Sequence, residues 1–442
     1  MATKKDLIEA HGFSRRRLLS AFTGGAPGGK ELDPAKPLRA VIAGVALSVM
    51  VVLAGVFYGI IRPGLPQGWE NDRLVIAGDT GARYLSIDGV LFPVVNTASA
   101  RLLVPAGEFS VVTTDHDTLA GIEIGPSIGI VGAPDDLPAA ERLVNDGWVA
   151  CVDPGARTAV AIADTRLAEP ATASAAVVER GDELFVVAGA LRHAVPRDEA
   201  DAVLRAIGLG SAPVVAVEGR WLNLFEPGSD LAPLHVDGAG DRIAGSELVA
   251  GTVVHPQGSD ADERYLVTER GELAPIGPLA YQLYLLGTGA SAGVEVEVSP
   301  ASISSMPTAA AAGADDWPVE LLQALEPADT TCAVLDEGRA VLGTSDAELA
   351  AARDGVTVSV GNGALVRAGS DPGAAGIVYL VDESGTAYPV AGDAEELVAR
   401  LGYSSDDVGA LTADWMQFFV IGPELSSEAA GASVIAQVEA AE

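Results

Sequence analysis

Aromatic side chains are scarce in this chain of 442 residues: Phe, Trp and Tyr together make up 5% of it. Glycine and proline are frequent instead, with 51 and 26 residues. This balance favours many turns and short strands over long helices. With 49% hydrophobic residues, the chain can bury a sizeable core, and its length suggests about three ordinary domains.

Lysine is absent beyond residue 36, and positive charge is rare in the rest of the chain. Residues 1–39 carry eight basic and four acidic side chains, which leaves 19 basic and 57 acidic ones for the remainder. Such an acidic body repels phosphate backbones, so we expect no nucleic-acid ligand. The simplest interpretation of the charge is a solvated surface that keeps a large domain soluble.

Charge is missing altogether from residues 40–61, AVIAGVALSVMVVLAGVFYGII. A helix of this length spans about 33 Å, enough for a bilayer core of about 30 Å. A signal peptide has a shorter apolar region and a small-residue cleavage site, and a buried core helix is rarely apolar around its whole circumference. The stretch therefore predicts a transmembrane helix over 40–62 that follows a cytosolic arm, 1–39.

The orientation of the chain in the membrane determines whether its two cysteines are expected to be free thiols or a disulfide. The basic residues of the arm favour a cytoplasmic N-terminus and an extracytoplasmic body. In the cytosol Cys151 and Cys332 would be two free thiols, whereas an oxidising space favours a disulfide between them. If they pair, the two segments that contain them touch, and the residues between form a closed excursion. We predict that they are bonded.

One pattern recurs four times in the body, starting near residues 84, 185, 265 and 379. Each copy has a short strand, a glycine turn, a second strand that ends in Pro-Val or Pro-Ile, and then a helix. The turn predicts a hairpin, the proline ends its ladder, and Asp or Asn before each helix with Gly after it marks the helix ends. The spacing is too long and irregular for a solenoid, which indicates four related modules with different insertions.

The predicted fold class is a single transmembrane α-helix plus an α+β, β-rich extracytoplasmic domain. Four hairpin-helix repeats surround a central β domain to which both cysteines belong. The predicted regions of the body are repeat 1 (70–120), a first central-domain segment with Cys151 (121–175), repeat 2 (176–255), repeat 3 (256–310), a second central-domain segment with Cys332 (311–370), repeat 4 (371–425) and a frayed acidic tail (426–442).

Catalytic motifs are matched only superficially. Gly24–Lys30 has the spacing of a phosphate-binding loop, but Glu31 stands where Ser or Thr should bind magnesium, so we interpret it as a linker. Gly289–Gly293 matches a nucleophile elbow, which needs a strand before it and a helix after it. An alternating strand follows instead, and we interpret the motif as a glycine-rich turn.

Metal and cofactor sites are not predicted either. The five histidines are scattered, with no pair at helical metal-ligand spacing. The polar clusters at Asp115–Asp117 and Asp260–Glu263 are explained more simply by turn chemistry than by a weakly bound divalent ion. We expect no catalytic residues, no cofactor and no enzymatic activity.

Taken together, these features resemble the EccB family of actinobacterial type VII (ESX) secretion systems, and the resemblance covers essentially the whole chain. The arm matches through Phe13, the three arginines that follow Ser14, and Leu18 with Leu19. The more specific segments are Tyr84 with Leu91–Leu102, Gly132–Pro138, and Trp148 shortly before Cys151.

The resemblance implies a Cys151–Cys332 disulfide in a central domain flanked by four repeats, in an elongated, propeller-like arrangement. It also implies a cell-membrane location, further copies of the chain as partners, and assembly with an EccC-like motor ATPase, EccD-like and EccE-like membrane proteins and a mycosin protease. The implied function is that of a structural subunit in the export of WXG-type effectors. The alternatives are an extracytoplasmic ATPase or hydrolase tethered to the membrane, and a cell-wall-binding or ligand-binding module. Some family members carry an ATPase label, although no nucleotide-binding motif is found here.

The arm itself carries apolar residues. Phe13, Leu18 and Phe22 recur at near-helical spacing with arginines between them, which is typical of a segment at a membrane surface or against a partner helix. We predict that these three residues contact a cytosolic partner. The alternative is an arm that only sets the topology.

Overall fold

The computed structural model describes residues 3–24, 37–61, 64–244, 246–260, 262–292, 295–326, 328–345, 355–435 and 437. The chain divides into two compact units, Met1–Gly64 and Leu65–Glu442. In the first unit, α1 runs over Lys4–Gly24 and α2 over Pro37–Ile61. Within the described ranges, α2 is the one helix that is long and apolar enough to cross a membrane.

The second unit begins with a four-stranded sheet. Its elements are β1 (Arg73–Ala77), β2 (Ala82–Ile87), β3 (Val90–Pro93), α3 (Thr97–Leu103) and β4 (Ser110–Thr114). The strand order is β3-β2-β1-β4, with β4 parallel to β1 and the other pairs antiparallel. The Asn96 side chain caps α3 by accepting from the amide of Ser99 at 3.0 Å, and the helix returns the chain so that β4 can pair in parallel.

The next strands, β5 (Val149–Val152), β6 (Thr158–Ile162) and β7 (Glu169–Pro170), belong to a central sheet that is completed later in the chain. A second sheet follows, with β8 (Ser174–Arg180), β9 (Glu183–Ala188), β10 (Leu191–Val195), α4 (Ala200–Ala206), β11 (Val214–Ala216), α5 (Gly219–Leu222) and β12 (Glu226–Pro227). Its order is β11-β8-β9-β10-β12.

A third sheet has β13 (Val253–Pro256), β14 (Tyr265–Val267), β15 (Leu273–Pro275), α6 (Pro278–Leu286), α7 (Gly289–Ala292) and β16 (Glu295–Val298). Its order is β15-β14-β13-β16. After it come α8 (Pro300–Ile303) and β17 (Gln323–Ala324), and β17 pairs with β8 of the second sheet. The predicted second central-domain segment therefore begins with residues that belong to the second sheet.

Three strands then complete the central sheet: β18 (Thr330–Asp336), β19 (Arg339–Ser345) and β20 (Gly355–Val358). The last sheet comprises β21 (Ala364–Gly369), β22 (Gly376–Val381), β23 (Thr386–Val390), α9 (Ala394–Leu401), β24 (Gly409–Thr412) and β25 (Val420–Ile421), followed by α10 (Ser427–Gly431). Short 3-10 turns cover His116–Leu119, Ala140–Arg142, Ser405–Asp407 and Ala413–Phe418.

The same topology therefore appears in four sheets. In each of them three strands run antiparallel in succession, a helix follows the third strand, and a later strand pairs in parallel with the first. The second and fourth sheets add one more parallel strand beside the third. The predicted hairpins are the second and third strands of each of these four sheets.

The largest core cluster forms where the central sheet meets the second and fourth sheets. Trp148, Trp221 and Trp415 are all fully buried there. Trp148 packs edge-to-face on Trp415 with 6.0 Å between ring centroids. The indole N–H of Trp221 donates to the Ala150 carbonyl at 2.8 Å, so burying this large side chain leaves no unpaired donor.

Candidate functional site

The disulfide lies at the middle of the central sheet, whose strand order is β20-β6-β5-β18-β19-β7. Cys151 on β5 is the direct antiparallel partner of Cys332 on β18, with 4.0 Å between their Cα atoms. The predicted disulfide is present, and it joins residues 181 positions apart. Both cysteines are buried. The central sheet draws on residues 149–170 and 330–358, which is narrower than the predicted central domain.

Helices join the first sheet to the fourth. Helix α3 contacts α9 and α10, and Leu102 packs among Leu397, Val398 and Leu401. The carbonyl of Leu102, near the end of α3, accepts from a guanidinium N–H of Arg400 at 2.9 Å and from the Ser427 hydroxyl at 2.9 Å. A carbonyl that α3 itself leaves without a partner is thus satisfied by residues about 300 positions later.

A second helix pair joins the second sheet to the third. Helix α4 contacts α6, and Val203 and Ile207 share a cluster with Leu279 and Leu283. The segment before β17 lies over this junction, where the amide of Leu322 donates to the Ile207 carbonyl at 2.9 Å. The four sheets are therefore joined in two pairs by equivalent helices.

Residues 426–435 and 437 pack on the first sheet's loop instead of fraying as predicted; the rest of the predicted tail, 436 and 438–442, lies outside the described residues. Ala430 of α10 is fully buried, and the amide of Val434 donates to the Ser127 carbonyl at 3.0 Å. The side-chain amide of Gln437 donates to the Gly129 carbonyl at 2.8 Å. Small residues suit this role, because the tail fits closely against the loop.

The three predicted contact residues of the arm all lie on α1 and are all exposed. Leu18 and Phe22 are four residues apart and share a face, together with Leu7 three turns earlier. Phe13 precedes Leu18 by five residues, so it projects about 140° away around the helix axis. The near-helical spacing in the sequence grouped Phe13 with Leu18 and Phe22, but on α1 Phe13 lies on a different face from these two residues.

The motifs with catalytic spacing acquire no catalytic geometry. Of Gly24–Lys30, all but Gly24 lies outside the described residues. Residues 289–292 form α7, a helical turn, and α6 precedes them where an elbow would need a strand. Asp115 caps a 3-10 turn by accepting from the amide of Thr118 at 2.7 Å, which is turn chemistry. No cluster of three or more metal-ligating side chains occurs in the described portion of the chain.

Residues 1–436 match the family model of the type VII secretion system ESX-1, transport TM domain B. The chain belongs to this family, EccB.

Among curated relatives, it is 27% identical over 337 residues to the ESX-5 secretion system ATPase EccB5 of Mycobacterium marinum, a match that covers 68% of this chain and 63% of the relative. It is 26% identical over 438 residues to the ESX-3 secretion system ATPase EccB3 of Mycolicibacterium smegmatis, covering 88% and 82%. The first of these matches thus spans less than two thirds of the relative's length.

Two solved structures share the fold. A chain of the intact ESX-5 inner membrane complex superposes with a TM-score of 0.65 at 19% identity, covering 98% of this chain and 95% of that one. The EccB3 dimer from the ESX-3 core complex gives a TM-score of 0.64 at 22% identity, covering 81% and 99%.

Proposed function

We propose that this protein is a structural subunit of a type VII secretion membrane complex. The observation that carries the proposal is the family match over residues 1–436. In this proposal α2 spans the cell membrane, the arm is cytoplasmic, and the body extends the assembly outside. The basic arm and the disulfide support that orientation, because basic residues stay inside and disulfides form in oxidising spaces.

The body is proposed to act as a rigid scaffold. Four sheets of one topology, joined in pairs by their helices, are interpreted as four repeats in a propeller-like arrangement around the central sheet. The disulfide supports this role because it ties two distant segments together at the centre of that sheet. A rigid body of this kind would present surfaces of fixed geometry to the other subunits.

The proposed partners are further copies of the chain, an EccC-like ATPase, EccD-like and EccE-like membrane proteins and a mycosin protease, with WXG-type proteins as the exported cargo. Support comes from the assemblies in which similar chains were solved, an inner membrane complex and a dimer. The exposed apolar stripe on α1 supports a contact on the cytosolic side.

Gentle detergent extraction of a tagged chain, followed by mass spectrometry, tests the proposal. We expect an FtsK-like ATPase and a multispanning protein to co-purify in amounts comparable to the bait. The matched control is the same tag on a chain that keeps α2 and the body but lacks residues 1–36, which should lose cytosolic partners first. Recovery of the intact chain without any membrane partner would contradict the proposal.

A membrane-tethered ATPase is the second candidate, because the curated relatives carry that word in their names. The proposal favours the scaffold, since Gly24–Lys30, which has the spacing of a phosphate-binding loop, is followed by Glu31 where Ser or Thr should bind magnesium. Hydrolysis of ATP by the purified full chain, abolished by a single substitution, would favour the enzyme instead.

A further inference from the structure

A cavity of about 630 Å³ opens beside the second sheet. The β9–β10 hairpin, the residues just before β8 and the segment 316–323 line it. Its walls are largely apolar and include Trp317 and Leu322, and the exposed side chains of Val319 and Leu321 contribute to its rim. Among the described lining residues none is Lys or Arg, whereas Asp316 and Glu320 carry carboxylates. The chemistry of the cavity is therefore apolar and anionic.

The backbone of one residue, Ser229, joins two ionisable groups that line this cavity, His193 and Asp316. The Ser229 carbonyl accepts a hydrogen bond from Nδ1 of His193 at 2.8 Å. The Ser229 amide donates to Oδ2 of Asp316 at 2.7 Å. Because a carbonyl can only accept, Nδ1 carries the proton, and in the neutral form of the ring Nε2 is an acceptor.

Gly228 allows this close approach. A β-carbon at that position would lie 2.6 Å from Cε1 and 2.7 Å from Nδ1 of the His193 ring, and 3.2 Å from Oδ2 of Asp316. The imidazole and the carboxylate therefore converge on one point of the backbone. Any side chain at Gly228 would separate them.

Two acceptors remain at this junction. Nε2 of His193 and Oδ1 of Asp316 are buried, and neither receives a hydrogen bond from any residue that the structure describes. The His193 side chain is fully buried. Buried acceptors are normally paired, because a desolvated acceptor without a donor costs about 1–3 kcal/mol. A positively charged N–H donor is the kind of group that such acceptors bind.

We propose that this cavity binds a basic side chain, Lys or Arg, from a peptide segment of another protein. Asp316 receives the cation, and His193 offers a second acceptor below it. The apolar walls cover the aliphatic stem, and the face of Trp317 adds attraction for the charge. A lysine must come from another chain or from the arm, because the body has none. This site goes beyond the scaffold role and does not depend on it.

The test uses the full chain in nanodiscs of uncharged phosphatidylcholine, which do not attract basic peptides. Fluorescent five-residue alanine peptides carry Lys, Arg or the uncharged isostere norleucine at the centre, and their affinities are measured by polarisation. We expect the Lys or the Arg peptide to bind at least tenfold more tightly than the norleucine peptide. The peptide that binds more tightly shows whether Lys or Arg is the preferred side chain in the cavity.

Asp316→Asn is expected to weaken that binding at least tenfold, while its side-chain oxygen can still accept from the Ser229 amide. Asp315→Asn is the matched control, because Asp315 is exposed, lines a different cavity and undergoes the same change in charge. It should leave the affinity unchanged. Equal weakening in both variants would mean that the acidic surface alone attracts the peptide, which overturns the proposal.

A second variant keeps the test decisive if Asp316→Asn lowers the melting temperature. Ala173 is exposed and lines the cavity, so Ala173→Leu should obstruct it without touching Asp316. We expect that variant also to lose at least tenfold in affinity. Equal affinity for Lys and norleucine peptides, or binding of Zn²⁺ alone that depends on Asp316 while no peptide binds, would overturn the proposal.

Discussion

At the scale of the residue, the disulfide has the largest expected effect on stability. It closes a loop of 181 residues, and removing a native disulfide typically costs about 2–5 kcal/mol. We expect the double variant Cys151→Ser, Cys332→Ser to lose free energy of unfolding in that range, measured by denaturant titration of the full chain. Thiol labelling of unfolded, non-reduced wild-type protein is the control, and two reactive thiols there would contradict the bond.

Asp135 gives a pH-dependent prediction at the same scale. The Arg83 guanidinium donates to it, and so do the backbone amide and hydroxyl of Thr97. The hydrogen bond from Arg83 is the main cause that lowers the pKa of Asp135 below its ordinary value of 3.8. Because the folded pKa is the lower one, this contribution to stability is present above about pH 4 and is lost as pH falls through the folded pKa.

Asp135→Asn should therefore make the melting temperature less dependent on pH below about pH 4. The neighbouring, exposed Asp136 provides the control Asp136→Asn, which should leave the slope unchanged. The same slope in wild type and in both variants would show that this carboxylate contributes nothing to acid sensitivity. Asp135 is itself half-exposed, so the effect is expected to be small.

At the scale of the element, substitutions in the arm distinguish two interpretations of its apolar residues: contact with a cytosolic partner, or an arm that only sets the topology. Replacing Phe13, Leu18 and Phe22 together with Ser should leave membrane insertion intact and release the cytosolic partner. The helix sharpens this expectation: Leu18→Ser with Phe22→Ser should suffice, because these residues share a face with Leu7. Phe13→Ser alone is the matched control. Co-purification measures the result, and full recovery of partners by the double variant would leave the arm as a topology signal.

Elements with local signals were predictable from the sequence. Asp393 caps α9 by accepting from the Glu396 amide, and Gly402 ends that helix with a positive φ of 101°. Both roles follow from neighbouring residues. The recurring sequence pattern starts at the second strand of each sheet, so first strands such as β1 fall outside it. The parallel strands, such as β4, gain their partners only when a helix has brought the chain back. Of these strands, only β16 was predicted, as the alternating strand that follows Gly289–Gly293.

At the scale of the whole molecule, the pairing of sheets through α3 with α9 and α4 with α6 was beyond prediction. The sequence pattern shows which face of a helix is apolar. It does not show which other helix that face packs against. The cavity at His193 was missed for the same reason, since His193, Ser229 and Asp316 are far apart in sequence. A single histidine in a strand carries no signal that distinguishes it from an ordinary core residue.

Removing residues 426–442 tests how far the tail stabilises the second unit. Four hydrogen bonds to residues 127–131 would be lost, and at about 0.5–1.5 kcal/mol each we expect a loss of roughly 2–6 kcal/mol in the free energy of unfolding. Amide hydrogen exchange at Gly129 and Val131 should speed up as well, because both amides donate to the tail. A chain that ends at Gln437 keeps all four bonds and is the control. Unchanged exchange in the shorter chain would show that the tail does not hold the loop.

The same tail sets an order of events during synthesis. The Val131 amide donates to the side chain of Gln437, a residue that follows it by 306 positions, so the loop of the first sheet stays incomplete while the other four sheets are made. Contacts between such distant residues form slowly, and partly folded intermediates are prone to aggregation. A nascent chain that stops early leaves this loop without the tail that packs on it, which gives a chaperone or protease a means of recognising unfinished copies.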